Sequence, residues 1–496
     1  MPHLQLPIST PSHEGVDASG VLSFVDALES SPTQDPHSLM ILRNGAVIAQ
    51  GWWAPYAPER RHLLYSLSKS FTSAAAGIAL GEGLLDLDAP VISYFPEFDR
   101  DITDARSRRM LVRHVASMSS GHTYDTIDKA IALDQSEPVR GFLLLPPEEE
   151  PGTVFAYNQP ATYTLAAIVQ KLTGGTLIDY LRPRLFDPLG IGPVGWQQFP
   201  PGRDIGFSGL YATTDAIARL GQLNLQRGLW QGERILPSEW VEQATVAQVA
   251  TTVPFPVEEE EAPNTPDWQQ GYGFQFWMAR HGYRGDGAFG QFMLVLPEQN
   301  AVVAITSQTE NMQETLDLAW EHLLPAFRSG GGATPTTATS ASADDDRLAA
   351  RLAGLGLPLP TGAAGASDDV DWPDATFAPA GGRCAQQPSL ASVRIRPEGA
   401  GAMVELGDAG GTLTAPIGHA KWAVTDRSDD PVPMAVCGGV DQRGVVQVDI
   451  AFIESPHRMH VACDPATSTF EARWVTQPLQ AENTPLTDLA TPPPIG

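Results

Sequence analysis

The sequence predicts an α+β domain followed by a second, small β-rich domain. Three observations predict it. Strand signals cluster at both ends of the first 330 or so residues with helical patterns between them, a composition break falls at Ser329–Asp346, and short alternating runs follow that break. At roughly 100–200 residues per domain, a chain of 496 residues accommodates two or three. Its 31 Lys+Arg against 58 Asp+Glu leave a formal charge of −27. A surface this acidic repels nucleic-acid phosphates and anionic membranes, so neither is expected as a partner. The hydrophobic fraction, 42%, is that of an ordinary soluble globular protein.

Val21, Phe24, Val25 and Leu28 fall at i, i+3, i+4 and i+7, one apolar face of a helix. Two strands, Ser38 to Arg43 and Ala46 to Trp53, flank Asn44-Gly45, the dipeptide best suited to a type I′ hairpin turn. The Ala-rich stretch from Ser66 to Glu82 reads as a buried helix stopped by Gly83. Leu165, Ile168, Val169 and Leu172 repeat the helical face, with Gly174 as its cap. Strand signals return at Gly273–Met278, Phe292–Leu296 and Ala301–Thr306, and a helical stripe of Met312, Leu316, Trp320 and Leu323 follows. Two strands, many helices and three strands predict one sheet assembled from both ends of the segment.

Ser329 to Asp346 carries almost no large apolar residue and reads as a flexible linker. The expected organisation is therefore a domain over 1–328, a linker over 329–346, a β-rich accessory domain over 347–480, and a Pro/Thr-rich tail over 481–496 ordered by contact. One helical pattern, Leu348 to Leu355, opens the accessory domain; Val393–Arg396, Val446–Ile450 and Met459–Ala462 are its clearest strands. The acidic runs Glu148–Glu150 and Glu258–Glu261 read as solvated loops. Cys384, Cys437 and Cys463 have neither disulfide nor zinc spacing and read as small hydrophobes; His457 and His460, the one close histidine pair of note, read as ordinary residues rather than ligands. The N-terminus lacks the basic and apolar regions of a signal peptide, and no apolar run is long enough to span a bilayer, so a soluble cytoplasmic protein is expected.

No G-x-S-x-G elbow, P-loop, H-E-x-x-H or dinucleotide-binding glycine motif occurs; Gly206-Phe207-Ser208-Gly209 fails the first at its last position. What does occur is Ser66-Leu67-Ser68-Lys69, an S-x-x-K at the start of the Ala-rich helix, in a chain with only four lysines. At i and i+3 the hydroxyl and the amine lie within a turn of each other. The helix N-terminus favours an oxyanion, and a desolvated lysine can be neutral and accept the serine proton. An N-cap serine beside a surface lysine would read the same. A second element, Tyr157-Asn158-Gln159, precedes the helix at Ala161, where a tyrosine can serve as acid or base or be a simple turn residue. The third, Arg284-Gly285-Asp286-Gly287-Ala288-Phe289-Gly290-Gln291, is either a plain hairpin or a stretch whose backbone N–H groups face a ligand.

In order and spacing these elements resemble the serine β-lactamase/penicillin-binding-protein superfamily, and within it the class C-like branch of family VIII esterases, 6-aminohexanoate-oligomer hydrolases and D-aminopeptidases. The likeness runs over roughly residues 15–328, with supporting stretches at 65–91, 112–122, 209–228 and 271–277. It implies the β-lactamase/transpeptidase-like fold, an antiparallel sheet flanked by helices plus an all-helical lobe, here with a small C-terminal β-barrel-like domain. It also implies Ser66 as acyl-enzyme nucleophile, Lys69 as its activating partner, Tyr157 as proton shuttle, and the backbone N–H groups of Ser66 and Ala288 as oxyanion hole. No cofactor or metal is implied.

Two departures bear on substrate. Gln159 stands at the Asn position of the family's Y-x-N, and the family's K-T-G falls on Gly285-Asp286-Gly287, so Asp286 is expected to repel a substrate carboxylate. Arg284 should point to the opposite face from Gly285. A small neutral ester or amide is the expected substrate, with poor β-lactam hydrolysis. The alternatives are an acyltransferase or D-amino-acid peptidase of secondary metabolism, or a non-catalytic acyl-ligand sensor. Trp52, Trp53, Tyr56, Phe155 and Trp277 either line an apolar acyl pocket or pack the core. The accessory domain is expected to wall the cleft or stabilise the fold.

Overall fold

The computed structural model describes residues 5–251, 266–327, 338–360, 370–399, 401–425, 432–482 and 484–496. Helix α1 (Ala18–Ser30) buries Val21, Phe24, Val25 and Leu28, the face its periodicity predicts. Strands β1 (Asp35–Arg43) and β2 (Ala46–Trp52) form the hairpin. Asn44 at φ 52° and Gly45 at φ 81° both take the left-handed conformation that a type I′ turn requires. Helices α2 (Ser68–Gly81), α3 (Gln159–Thr173) and α4 (Thr214–Leu225) follow. Gly174 closes α3 at φ 74°, although Leu172, counted on its apolar face, is exposed.

The late strands are β3 (Trp277–Met278), β4 (Tyr283–Gly287), β5 (Gln291–Leu296) and β6 (Ala301–Gln308). All six pair antiparallel in the order β2-β1-β6-β5-β4-β3, so the sheet is closed from both ends of the segment. The strand expected at Gly273–Met278 shortens to its last two residues, because Phe274 and Gln275 give their carbonyls to α2 instead.

Alternation across this sheet divides two cores. Met40, Leu42, Met293, Val295, Val302 and Ala304 face a cluster built with α2, α3 and α4. Leu39, Ile41, Phe292, Leu294, Val303 and Ile305 face the opposite cluster, built with α1 and the helix over Met312–Leu318. Both faces are covered, which is why β1 and β6 read as continuous apolar runs.

The expected linker does not hold over its described part. Residues 338–346 belong to helix α5 (Ala338–Ala353). Composition concealed it: alanine favours helix, and Leu348, Leu352 and Leu355 dock a stripe on β2. The approach is close enough that a Cβ on Gly51 would meet Leu355 at 2.7 Å. Nine strands between Ala375 and Trp474 then form a barrel-like sheet around its own core, nearly closed by a bridge between Gly418, just past one edge strand, and Cys437, on the strand next to the other edge. Ala435, Ala451 and Ile453 of this domain join the core beneath α1, so the two parts share apolar surface. The tail returns to the first domain, where Gly496 N–H donates to Val194 O at 3.1 Å.

Glu148–Glu150 are exposed on a loop, and Glu258–Glu261 lie outside the described residues. The three cysteines are free and buried. No described helix is long and apolar enough to cross a membrane.

Candidate active site

The chain enters α2 through a 3-10 turn, Tyr65–Leu67, with Tyr65 at φ 46°. Ser66 is the half-buried middle residue of that turn, one step before the α-helix. Lys69, one turn on, is 1% exposed, which disposes of the surface-lysine alternative. Its amine donates to Ser66 Oγ at 2.9 Å, Gln159 Oε1 at 2.7 Å and the Phe207 carbonyl at 2.8 Å. Burial pulls its pKa down from 10.5 to about 7, with Asp125 and Asp286 pulling the other way. Two of the three partners can only accept. When the amine is neutral its lone pair therefore faces the third, the Ser66 hydroxyl.

The buried hydroxyls of α2 explain how an Ala-rich helix organises irregular loops. Ser68 donates to Tyr65 O at 2.6 Å and accepts from Leu210 N at 3.0 Å; Thr72 donates to Gly206 O at 2.7 Å. These bonds hold the Gly206–Gly209 loop, which fails as a nucleophile elbow, so that its Phe207 carbonyl reaches Lys69. On the adjoining side Ser70 and Ser73 take the carbonyls of Gln275 and Phe274. Each buried backbone carbonyl thus has a partner that alanine could not supply.

Tyr157 is stacked on Trp277 with centroids 5.4 Å apart, and the Lys69 amine lies 4.6 Å from its ring centre. Burial, with Asp286 adding to it, pushes its phenol well above 10, and its hydroxyl interacts with Ser66. It therefore stands as a proton donor at neutral pH. Asn158 turns inward to Thr126, whose N–H it accepts at 2.9 Å, while Gln159 turns toward Lys69. Gln159 engages the site through its carbonyl oxygen, which accepts from Lys69. Asp125 accepts the Gln159 N–H at 3.1 Å and so orients it.

The third element lies along the same turn. A Cβ on Gly287 would stand 2.1 Å from Leu64 O, and one on Gly285 2.4 Å from Ser70 Oγ, so only glycines let β4 approach the serine turn. Ala288 is half-buried in the loop after β4. Gln291, fully buried, donates to Ala288 O and Phe289 O at 3.1 Å each, and Ser307 Oγ donates to Gly290 O at 2.9 Å. The loop carbonyls are thereby held by the protein interior.

Asp286 departs from its expected role. The alternation that turns Arg284 away from Gly285 turns it toward Asp286, and Arg284 Nε meets the carboxylate at 3.0 Å with both side chains buried. Burial raises the Asp286 pKa, opposed by Arg284. The repulsion expected of Asp286 is thus largely neutralised by its own strand neighbour. Arg284 is spent on this pair, on the carbonyls of Asp267 and Met278, and on the Trp268 ring 4.3 Å away.

The five aromatics do not form one group. Phe155 and Trp277 join Tyr157 and Tyr272 at the site. Trp53 and Tyr56 pack in the core beneath α1, and Trp52 lies on the opposite cluster. Among the described residues no group of three His, Cys, Asp or Glu could hold a metal ion. His460 instead bonds Asp449 at 2.6 Å. Asp125 and Phe207 are site residues that sequence reasoning missed, and Gln291 was read only as the end of the glycine-rich stretch. The first two reach the site through contacts 34 and 138 positions away, which periodicity does not register.

Residues 37–326 match the family described as Beta-lactamase, more than half of the chain. The chain belongs to the β-lactamase family. Within it, this family member is 27% identical over 228 residues to 6-aminohexanoate-dimer hydrolase of Paenarthrobacter ureafaciens, 41% of this chain and 56% of that protein. It is 29% identical over 183 residues to lovastatin esterase of Penicillium rubens, 32% of this chain and 43% of that enzyme. The chain thus spans about half the length of these curated relatives. The crystal structure of SurE shares its fold at 17% identity and TM-score 0.50, covering 91% of this chain and 100% of that one, accessory domain included.

Proposed function

We propose that this β-lactamase-family chain is a serine hydrolase that works through an acyl-enzyme on small neutral esters or amides. One observation carries the reading: a buried lysine amine poised at about 7, 2.9 Å from a half-buried serine hydroxyl, with only acceptors as its other partners. Neutral Lys69 takes the Ser66 proton as Oγ attacks the carbonyl carbon. The backbone N–H groups of Ser66 and Ala288 receive the oxyanion. Tyr157 gives its proton to the leaving oxygen or nitrogen and regains one from protonated Lys69 as the tetrahedral intermediate collapses to the acyl-enzyme. Water then enters by the reverse route: it loses a proton to the Lys69–Tyr157 pair, attacks the ester, and frees Ser66 with its proton restored.

The preference for neutral substrates is supported by the aromatic wall of Phe155, Tyr157, Tyr272 and Trp277 and by the commitment of Arg284 to Asp286. No lysine stands where the family's K-T-G would place one. The 6-aminohexanoate-dimer hydrolase and the lovastatin esterase among its relatives support amide or ester hydrolysis as the reaction class. Intact-mass measurement after brief exposure to p-nitrophenyl butyrate should show a butyryl adduct on wild type and none on Ser66→Ala, whose turnover should vanish. Turnover by Ser66→Ala at the wild-type rate would sink the reading. Nitrocefin should be the poorer substrate.

A further inference from the structure

The loop Ile453–His457, between barrel strands Val446–Phe452 and Arg458–Asp464, is pressed against the segment that leads into Ser66. Leu63 N–H donates to Glu454 O at 2.8 Å, Arg61 pairs with the Glu454 carboxylate at 3.2 Å, and Tyr56 OH donates to Ser455 O at 3.3 Å. A fourth contact is the shortest. Tyr65 OH donates to His457 Nε2 at 2.5 Å. His457 Nδ1–H donates to Thr476 O at 3.2 Å, which selects the tautomer that leaves Nε2 free to accept.

Tyr65 and Phe289 share an unusual position. Each is a bulky non-glycine residue in the left-handed region, at φ 46° and 66°. Each also adjoins one of the two residues assigned to the oxyanion hole: Tyr65 precedes Ser66 and Phe289 follows Ala288. Left-handed aromatic residues persist only where their surroundings hold them. Ser68 and Gln291 tie their backbone carbonyls, and their rings pack against each other and against one imidazole. Tyr65 and Phe289 meet edge to face at 5.3 Å, Phe289 and His457 at 4.9 Å, and Tyr65 and His457 at 5.8 Å. The three rings close a triangle whose third corner comes from the accessory domain, 392 positions from Tyr65.

We propose that His457 is a positioning residue, by which the accessory domain sets the spacing of the Ser66 and Ala288 N–H groups through the Tyr65–Phe289–His457 ring triangle. The inference rests on the acyl-enzyme reading and assigns the C-terminal domain a part in it. His457 touches no substrate. It acts on acylation by holding two strained residues at the separation the oxyanion needs, where a shift of an ångström is enough to slow the chemistry.

The experiment is pre-steady-state acylation by p-nitrophenyl butyrate on the full chain. His457→Phe keeps a ring and loses the acceptor; Tyr65→Phe loses only the donor. Each should lower the acylation rate about 10- to 100-fold with KM within about 2-fold. The double variant should be no slower than the worse single one, because both break the same bond. His457→Gln, which can accept again, should recover part of the loss. Tyr56→Phe, which removes a neighbouring bond of the same loop, should lower the melting temperature without slowing acylation. A Tyr65→Phe protein that acylates like wild type overturns the proposal even if His457→Phe fails to fold. So does an acylation loss in Tyr56→Phe equal to that in Tyr65→Phe, since it would make the effect one of general loosening. Either result leaves the Ser66 adduct, and hence the hydrolase reading, intact; loss of the wild-type adduct would remove both.

Discussion

Ser66 has a buried titratable cluster on each side, and the two behave oppositely. On one side lies Lys69, 1% exposed, beside Tyr157 and Gln159. On the other lie His37, His62 and His457, 1–4% exposed, at the junction with the barrel. The physical effect is the same in both, since burial disfavours the charged form. It moves the amine from 10.5 to about 7, and the His62 and His457 imidazoles from 6.5 to about 4 and about 3. Similar displacements from different starting points leave the lysine amine able to lose its proton near neutral pH and the histidines neutral there. Their tautomers are also set. His62 Nδ1–H donates to Leu63 O at 3.0 Å, so its Nε2 accepts from His37 Nδ1–H at 3.1 Å. On the proposed reading, burial makes a reagent on one side of the serine and a strut on the other.

The largest test of that contrast is Lys69→Met, which should lower kcat/KM by about a thousandfold or more, the range for losing a general base. In wild type kcat/KM should rise with pH through about 7, as Lys69 loses its proton. The same rise in the residual activity of Lys69→Met would transfer the titration to another group.

Arg284→Met comes next. It leaves the Asp286 carboxylate buried without its cation and should cost about 3–5 kcal/mol of stability by chemical denaturation. Arg284→Met/Asp286→Leu should recover much of the loss. A single variant as stable as wild type would mean that Asp286 is already neutral.

The smallest effect belongs to the junction. A folded-state pKa below the unfolded one means that the unfolded chain binds more protons between the two values, so stability falls as pH drops from 6.5 toward 4. For His62 alone the loss reaches about 3 kcal/mol. Denaturation midpoints measured at pH 7 and pH 4.5 should differ less in His62→Gln than in wild type. An equal difference would place the acid sensitivity elsewhere.

Much of this was legible in local sequence. Asn44-Gly45 announces a hairpin because the turn depends on two residues' own dihedral angles. Ser66 and Lys69 announce a pair because one helical turn brings i to i+3. The Arg284–Asp286 pair was also legible in principle, since the two-residue period of a strand places both side chains on one face. Helix α5 was obscured because its apolar stripe begins only at Leu348, downstream of a polar, small-residue start.

By itself the sequence determined most of the elements, the sheet closed from both ends, and the three motifs, since each depends on neighbours within a turn or a strand's reach. Only the tertiary structure decided which of them meet. That Phe207 turns its carbonyl to Lys69, that Trp53 and Trp277 lie in different clusters, and that His457 reaches Tyr65 all depend on how loops are tied across the fold. Packing and desolvation set these contacts. They act on distance in space, which a linear pattern does not encode.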